Sequence, residues 1–462
     1  MRSRFRIPAA AMALLAWLTP AAATEDAGPC PFTISEALSQ AEHQLATLYM
    51  TRQAVWMLDR TGMPPREFLS AMEYYLEPGQ FGREDDRSGL LFYIASEEDV
   101  CVVFARMTDT PHSYPSGGVS LVEVTMRALP LPATELASLV DDRLRGLVEA
   151  APMVRAPVPL SDFARQQTRG ATRLSRGEAP ADPAALLGDI AEALFPPEIA
   201  QALGSLSSLT IVPALNLGKV PFAALDPTAE GTILMKHAAV NVESSMRSIF
   251  ERTIFAWEPT PPKNPLVVGD PDARNDPDWL LPRLPGAADE ARAVAALWKG
   301  TAITGAEATP ERVLEQMEDA DYIHIAAHGI ASIEKPMDNS FLALAGGRLT
   351  ARQIQSLKLA SLPIVVLSAC QSALGSPLEA GIIGVARAFV IAGSIGVVAS
   401  LWNVDDEATA AVMRRFAELL LETNPADALR RAQLEALERW PSPQVWAAFI
   451  LYGPRIVTNG SR

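Results

Sequence analysis

Two reactive side chains follow two predicted strands of this chain. The strand 322–327 leads into His328 and Gly329, and the strand 364–368 is followed, after one alanine, by Cys370. An imidazole beside a thiol is the pair that a cysteine nucleophile needs, because the base generates or stabilises the attacking thiolate. The backbone N–H groups of Gly329 and Cys370 would then hold the oxyanion formed at a substrate carbonyl. The alternative is structural, since a lone cysteine after a strand is usually a small buried hydrophobe.

The segments around this pair alternate between strand and helix. Apolar runs and helical periodicity predict, in order, strand 266–269, helix 310–317, strand 322–327, strand 341–345, strand 364–368, helix 379–392, strand 395–400, a helix from Asp405, helix 425–439 and strand 448–452. Continuous apolar strands interleaved with helices indicate a mainly parallel sheet that is covered on both faces. Functional sites in such sheets lie at the carboxyl ends of the strands, where His328 and Cys370 fall.

A Pro-rich cluster at 259–265 predicts the boundary between two halves of the chain. Before it, the patterns predict helices at 34–59 and 65–75, a hairpin of 90–95 and 100–106, helices at 131–150 and 184–203, a polar loop at 151–182 and a strand at 209–213. We therefore predict four parts, which are a signal peptide (1–23), an N-terminal helical segment (24–88), an N-terminal half (89–258) and a C-terminal half (259–456).

The first residues have the pattern of a secretory signal peptide. Three arginines (Arg2, Arg4 and Arg6) precede an apolar run at 9–18, and small residues at 20–23 predict cleavage after Ala23. The apolar run is shorter than the ~20 residues that span a bilayer, which disfavours an uncleaved anchor. We expect export to the periplasm or the extracellular space, with no membrane insertion after the signal is removed.

Composition and charge exclude several classes of function. The chain has 39 basic and 54 acidic residues, a formal net charge of −15 at pH 7. Such an acidic chain has no electrostatic reason to bind phosphate backbones or anionic lipid, so we expect no nucleic-acid partner. With no Cys-x-x-Cys pair and scattered histidines, the sequence predicts no metal site.

The chain has three cysteines, Cys30, Cys101 and Cys370. Export would place them in an oxidising compartment where disulfides persist, and an odd number of cysteines leaves one of them unpaired. Cys30 precedes the first helical segment and Cys101 lies in a predicted strand, so a Cys30–Cys101 disulfide would leave Cys370 free. Two inert buried thiols at Cys30 and Cys101 are the alternative, and the sequence leaves both open.

Several ordered motifs resemble those of the CHAT family, whose members share the clan of caspases and separases. Residues 322–329 and 365–375 are similar to the family's His and Cys motifs. Further similar stretches follow in the family's order, at 381–389, 398–409, 428–433 and 446–449, and upstream ones stand at 211–213, 220–225 and 284–290. The resemblance covers the chain from about Gly89 to Tyr452.

This resemblance implies a fold and a chemistry. The implied fold is α/β, a caspase-like three-layer sandwich with a mainly parallel sheet, in which a short N-terminal helical segment and a degenerate first half-lobe precede the catalytic lobe. The implied activity is that of a peptidase with no metal or organic cofactor, with His328 as general base and Cys370 as the nucleophile. The chain departs from the family at Gln371 and Ser372, where members usually carry an acidic residue and a threonine, so we expect its specificity to differ.

Three further side chains are candidates for substrate binding. Asp405 and Asp406 follow a strand, as the acidic specificity residues of basic-cleaving relatives do, and they are equally good helix-capping and first-turn residues. Trp402 would either line a pocket for a substrate side chain or be a buried core residue. His324, four residues before His328 on the same strand face, is expected to be a packed or hydrogen-bonded neighbour rather than a second base.

These patterns favour an exported cysteine endopeptidase that acts on protein or peptide substrates through an acyl-enzyme at Cys370. A protein partner could act as its activator. One alternative is a catalytically silent interaction scaffold of the same fold, which would dock a partner through the N-terminal helices. Another is a cysteine amidase or transferase that uses the same dyad on small molecules.

Overall fold

The computed structural model describes residues 72–76, 87–96, 98–113, 119–149, 158–159, 182–243, 254–332, 335–369, 376–378, 381–402 and 404–458. The predicted signal peptide, the predicted helix 34–59 and almost all of the predicted loop 151–182 fall outside these residues. Cys30 and Cys370 do so as well.

Twenty strands form the sheets of the described chain. The first ten are β1 (Ser88–Ala95), β2 (Val100–Ser113), β3 (Val119–Ala128), β4 (Val158–Pro159), β5 (Ser208–Val212), β6 (Ala239–Val242), β7 (Ile254–Trp257), β8 (Pro265–Pro271), β9 (Trp279–Leu280) and β10 (Ile303–Gly305). The others are β11 (Tyr322–Ala327), β12 (Gly329–Ile330), β13 (Phe341–Leu344), β14 (Gly347–Thr350), β15 (Ile364–Ala369), β16 (Ser376–Leu378), β17 (Gly381–Ile383), β18 (Gly396–Ser400), β19 (Phe449–Tyr452) and β20 (Arg455–Thr458).

The helices lie between these strands, and several begin at residues that suit a helix start. They are α1 (Ala133–Glu149), α2 (Pro183–Leu194), α3 (Pro197–Leu203), α4 (Pro285–Leu297), α5 (Pro310–Met317), α6 (Pro336–Asn339), α7 (Ala351–Gln355), α8 (Val385–Ala392), α9 (Asp406–Leu419), α10 (Pro425–Arg439) and α11 (Pro443–Trp446). Residues 72–76 are also helical. Thr309 caps α5 through its side chain, and Gly393, with φ +114°, ends α8 in a left-handed conformation that glycine adopts readily.

One eleven-stranded sheet runs through both halves of the chain, in the order β10-β8-β11-β15-β18-β19-β6-β5-β1-β2-β3. Its neighbours are parallel except for β18 with β19, β1 with β2 and β2 with β3. The prediction of an α/β fold with a mainly parallel sheet is therefore confirmed. The strands β19 and β6 join the two halves through the pairing of Tyr452 with Val242.

Helices cover both faces of the sheet in the C-terminal half. On one face, Ala287 of α4 and Leu284, which directly precedes this helix, pack against Ala326 of β11, and α9 and α10 extend this layer. On the other, α8 contacts β18, while α7 contacts α8 and the small sheet β12-β13-β14. β11 and β15 are buried along their whole length, as expected for strands between two helical layers.

The first half is built on the same plan. Leu91 and Phe104 belong to the main core with α1 and α2, whereas the opposite sides of β1 and β2 pack against Met72, Tyr75 and Leu76 in a smaller cluster. The helical residues 72–76 thus cover the second face of the sheet. Within the part of the chain that the structure describes, no helix has the length and apolar character needed to cross a bilayer.

Two predicted helices differ from those observed. The predicted helix 184–203 is two helices, α2 and α3, because Pro196 and Pro197 cannot donate the backbone hydrogen bonds that would continue the first. The predicted helix 379–392 starts only at Val385. The residues before it pair as the antiparallel strands β16 and β17, which suits the β-branched Ile382 and Ile383.

Candidate active site

The site is built on the carboxyl ends of β11 and β15, which are parallel neighbours in the sheet. Ala326 pairs with Ser368, and Ala327 pairs with Ala369. Each strand is followed in the sequence by one member of the predicted dyad, His328 after Ala327 and Cys370 after Ala369. Because the strands are parallel and in register, Ala327 and Ala369, the residues before His328 and Cys370, lie at the same edge of the sheet.

The His328 side chain is held by a backbone carbonyl. It is 3% exposed, and its Nε2 lies 2.7 Å from the carbonyl oxygen of Pro282. A carbonyl can only accept, so Nε2 carries the proton and, in a neutral ring, Nδ1 carries the lone pair. Among the described residues, buried Nδ1 has no hydrogen-bond partner. The ring therefore presents a basic nitrogen that can take a proton.

Burial determines the charge state of this imidazole. It lowers the pKa of His328 below its ordinary value of 6.5, and the hydrogen bond to Pro282 and the charge of Asp270 oppose that effect. The net lowering keeps the imidazole neutral at pH 7, which is the form that a general base requires.

A buried polar cluster beneath the strand ends includes His324, the histidine within β11. His324 is fully buried, with Nε2 2.7 Å from Glu290 Oε1 and Nδ1 3.2 Å from the Tyr322 hydroxyl. Ser368 donates to the second Glu290 oxygen at 3.0 Å. Burial, assisted by the charge of Glu290, raises the pKa of Tyr322, so its hydroxyl stays protonated. His324 is thus the hydrogen-bonded neighbour that the sequence predicted.

Gly329, the predicted oxyanion donor, opens the short strand β12. It pairs with Leu342 of β13, and the carbonyl of His328 accepts from Ala343 N at 2.9 Å. These pairings hold the backbone directly after His328 against the small sheet. The roles of Gly329 and Cys370 in an oxyanion hole stay predictions.

The predicted substrate-binding residues lie near the start of α9. Asp405 caps this helix and accepts from the backbone N–H groups of Glu407 and Ala408 at 3.0 and 3.3 Å. Trp402 is 3% exposed, and its indole N–H donates to the carbonyl of Gln444 at 2.8 Å. Both side chains therefore have structural contacts of the kind considered as alternatives above, and their substrate-binding roles stay predictions.

Asp406 stands where α9 meets α4. A Cβ added to Gly286 in the first turn of α4 would come within 2.9 Å of Asp406 Cβ, so the two helix starts touch. This contact places Asp406 beside the segment that leads from Pro282 into α4. Its substrate-binding role is likewise a prediction.

Cys101 lies in β2 and is fully buried in the smaller cluster with Tyr75. It is disulfide-bonded. The partner falls outside the described residues, so the pairing with Cys30 stays a prediction. Within the described ranges, no group of three or more His, Cys, Asp and Glu side chains is arranged to hold a metal ion.

Sequence reasoning missed the residues that hold His328. Pro282 precedes α4 by three positions and Asp270 is the last residue but one of β8, and neither position carries a motif for an acid–base partner. The stretch 284–290 contained the only signal, because its similarity to the CHAT family covers Glu290 and begins two residues after Pro282.

The comparisons with known proteins agree with this resemblance. The CHAT domain family model matches residues 184–454, more than half of the chain. Tetratricopeptide repeat protein 28 from Mus musculus and from Homo sapiens is 25% and 24% identical over 305 residues, which cover 56% of this chain and 12% of each relative. The chain therefore spans only about one eighth of the length of these relatives.

Two solved structures are also similar to the chain. A chain of the Saccharomyces cerevisiae separase–securin complex has a TM-score of 0.47 and 10% identity, covering 84% of this chain and 31% of that one. The Arg-specific cysteine proteinase gingipain R has a TM-score of 0.40 and 14% identity, covering 58% of this chain and 70% of that one. On the extent of the family match, the chain belongs to the CHAT domain family.

Proposed function

We propose that the chain is an exported cysteine endopeptidase that cleaves protein or peptide substrates through His328 and Cys370. The observation that supports it best is the state of His328. Its Nε2–H is committed to the Pro282 carbonyl, and its Nδ1 is buried, basic and at the strand end beside β15. A histidine that only fills space does not require a basic nitrogen without a hydrogen-bond donor. His328 has such a nitrogen, unpartnered by any described residue, at the carboxyl ends of the strands, where the functional sites of parallel sheets lie.

The chemistry follows from these atoms. Nδ1 takes the proton of Cys370 Sγ, the thiolate attacks the substrate carbonyl carbon, and the N–H groups of Gly329 and Cys370 hold the oxyanion. The intermediate collapses as the C–N bond breaks, and the proton on Nδ1 moves to the leaving amine. Water, deprotonated by Nδ1, then attacks the thioester, and the acid product leaves with return of the thiol.

The substrate would lie across the carboxyl ends of β11 and β15. Asp406 at the start of α9 adjoins the Pro282 segment, and Asp405 follows the next strand, β18. Either carboxylate would favour a basic side chain at the cleavage position. Trp402, buried beneath the start of α9, would shape the floor of such a pocket.

The disulfide at Cys101 supports export, because disulfides persist in oxidising compartments. It also supports Cys30 as the partner. Six strand spacings separate β2 from β15, about 29 Å at ~4.8 Å each. Ala369 of β15, which precedes Cys370 in the sequence, is therefore too far from β2 for the next residue to come within the ~4–7 Å between Cα atoms that a disulfide requires, since one residue adds only ~3.8 Å.

The disulfide proposal is tested by mapping peptides of the non-reduced protein. We expect one linked peptide pair containing Cys30 and Cys101, with one free thiol at Cys370. Three free thiols in the native protein would refute the pairing. Recovery of the chain from the periplasm or medium, beginning at Thr24, tests export, and a full-length chain retained in the cytoplasm would contradict it.

Catalysis is tested with acyloxymethyl-ketone peptides that bear Lys, Arg, Asp or Leu at the terminal position. We expect a covalent adduct at Cys370 that is absent in Cys370→Ala. His328→Ala should slow labelling by roughly 10²–10⁴-fold, the range lost with a general base. His112→Ala is the matched control, because the hydrogen bond that this histidine makes among the described residues is to Thr108 on the same strand, and the variant should label like wild type.

The outcomes separate the candidate functions. Labelling of equal rate in His328→Ala would refute the dyad. No selective labelling by any peptide probe would favour a silent scaffold. Reaction of Cys370 with small electrophiles alone, dependent on His328, would favour an amidase or transferase over a peptidase.

A further inference from the structure

A buried carboxylate lies at the carboxyl end of β8, beside the end of β11. Asp270 is 3% exposed, and its φ of +45° is a left-handed conformation that residues other than glycine seldom adopt. Such a backbone persists only where surrounding contacts hold it, and outliers of this kind concentrate at functional sites. The contacts of Asp270 are therefore informative.

Both carboxylate oxygens of Asp270 bind the segment that leads into α4. One oxygen accepts from the backbone N–H of Leu284 at 2.7 Å, and the other from Arg283 Nε at 2.8 Å and from Arg283 Nη2. Arg283 directly follows Pro282, whose carbonyl accepts from His328 Nε2. The segment 282–284 is thus fixed on one side by Asp270 and binds His328 on the other.

We propose that Asp270 is a positioning residue, which holds the Pro282 carbonyl in place and thereby fixes the ring orientation and the Nε2–H tautomer of His328. A catalytic role for Asp270 rests on the proposed function. The contacts that position His328 are observed whether or not the chain is a peptidase.

The charge of Asp270 adds a second effect on the same ring. It raises the pKa of His328, against the lowering by burial. The other charged groups nearby are Arg283, whose guanidinium pairs with Asp270, and the exposed pair of Asp272 with Arg274. Arg283 offsets the charge of Asp270. Removing the Asp270 charge should therefore lower the pKa of His328, and removing the Arg283 charge should raise it.

The test uses three variants and the nitrogen resonances of His328 in the full chain. Asp270→Asn removes the charge and weakens the hold on Arg283, so the titration midpoint of His328 should fall and the Nδ1–H tautomer should appear. Arg283→Gln leaves Asp270 bound to Leu284 without its cation, so the midpoint should rise while the Nε2–H tautomer persists. Asp272→Asn, two residues away and paired with Arg274, is the matched control and should change neither.

Labelling of Cys370 gives the catalytic readout. Asp270→Asn should slow it by about tenfold, less than the ~10²-fold that a 1 Å misplacement can cause, because asparagine still accepts from Leu284 N–H. If wild type is not labelled at all, the proposed function fails, and the resonances of His328 still decide the role of Asp270. If wild type is labelled and Asp270→Asn alters neither tautomer nor midpoint, the role of Asp270 is refuted and the peptidase proposal stands. Should Asp270→Asn not fold, Asp270→Glu decides, because its longer side chain keeps the charge but displaces both oxygens from Arg283 and Leu284; the Nδ1–H tautomer should appear there too, and an unchanged tautomer refutes the inference.

Discussion

Replacing Gly269 by alanine should move the helix that carries the site's buried acid. Gly269 lies in β8 beneath α4, and a Cβ added there would stand 2.4 Å from Ala291 Cβ and 2.5 Å from the Ala287 carbonyl oxygen. These are a backbone atom and a methyl group fixed to the helix, so no flexible side chain can yield. An ordinary contact needs about 3.4 Å, so α4 must recede from the sheet by about 1 Å.

Two effects lower the free energy of unfolding of the Gly269→Ala protein. Overpacking in a close-packed core destabilises by about 1–3 kcal/mol. The shift also stretches the bonds of Glu290, now 2.7 Å to His324 and 3.0 Å to Ser368, towards the ~3.5 Å limit, at about 1 kcal/mol for each bond lost. We expect the free energy of unfolding to fall by about 3 kcal/mol, which lowers the Tm by roughly 3 °C in a chain of this size.

Urea titration and thermal unfolding followed by circular dichroism measure this loss, and probe labelling of Cys370 measures its effect on the site. Gly188→Ala is the matched control. Gly188 is exposed in α2 with no atom within 4 Å of an added Cβ, so alanine there should stabilise by about 0.5–1 kcal/mol. A Gly269→Ala protein as stable and as reactive as wild type would refute the reasoning that α4 is pressed against β8.

Three further predictions concern the site and its supports. Because burial lowers the pKa of His328 below 6.5, the unfolded chain binds more protons there, so stability should fall as the pH drops below about 6.5, by at most ~1.4 kcal/mol per pH unit. In His328→Gln, urea titrations at pH 7.5 and 5.5 should lack this component, and an unchanged pH dependence would contradict it. Asp405→Ala should lower the free energy of unfolding by about 1 kcal/mol, because the cap of α9 is lost. Asp405→Asn should keep the cap, and it should lose the preference for Lys and Arg probes if the carboxylate binds the basic side chain of the substrate. Ser368→Ala should cost about 1–3 kcal/mol by leaving a buried Glu290 oxygen without this donor, and a neutral result in the same titrations would mean that water replaces it.

The sequence predicted the elements whose local pattern is strong. β11 and β15 are short apolar runs, α5 starts at Thr309 and Pro310, and each matched its predicted place within a residue or two. It also predicted that His328 stands at a strand end in a mainly parallel sheet. These features depend on residues close together in the chain, which periodicity and capping patterns describe well.

What the sequence did not predict depends on contacts between distant segments. The carbonyl of Pro282 binds His328 46 residues later, and a backbone carbonyl has no side-chain signature. Glu290 looks like an ordinary helical acid until α4 is placed over β11 and β15, where its carboxylate meets His324 and Ser368. The late start of α8 was missed for a similar reason, since the pairing of β16 with β17 competes with helical propensity there.

The central position of β19 has a consequence for how the chain acquires its fold. This strand lies between β18 and β6, so it joins the halves of the sheet, yet it is the last of the eleven to be synthesised. Until residues 449–452 have left the ribosome, β18 and β6 lack the strand that joins them in one sheet, and the insertion of that strand pairs segments far apart in sequence. Such topologies fold slowly. The strand order itself therefore delays completion of the sheet until most of the polypeptide has been made.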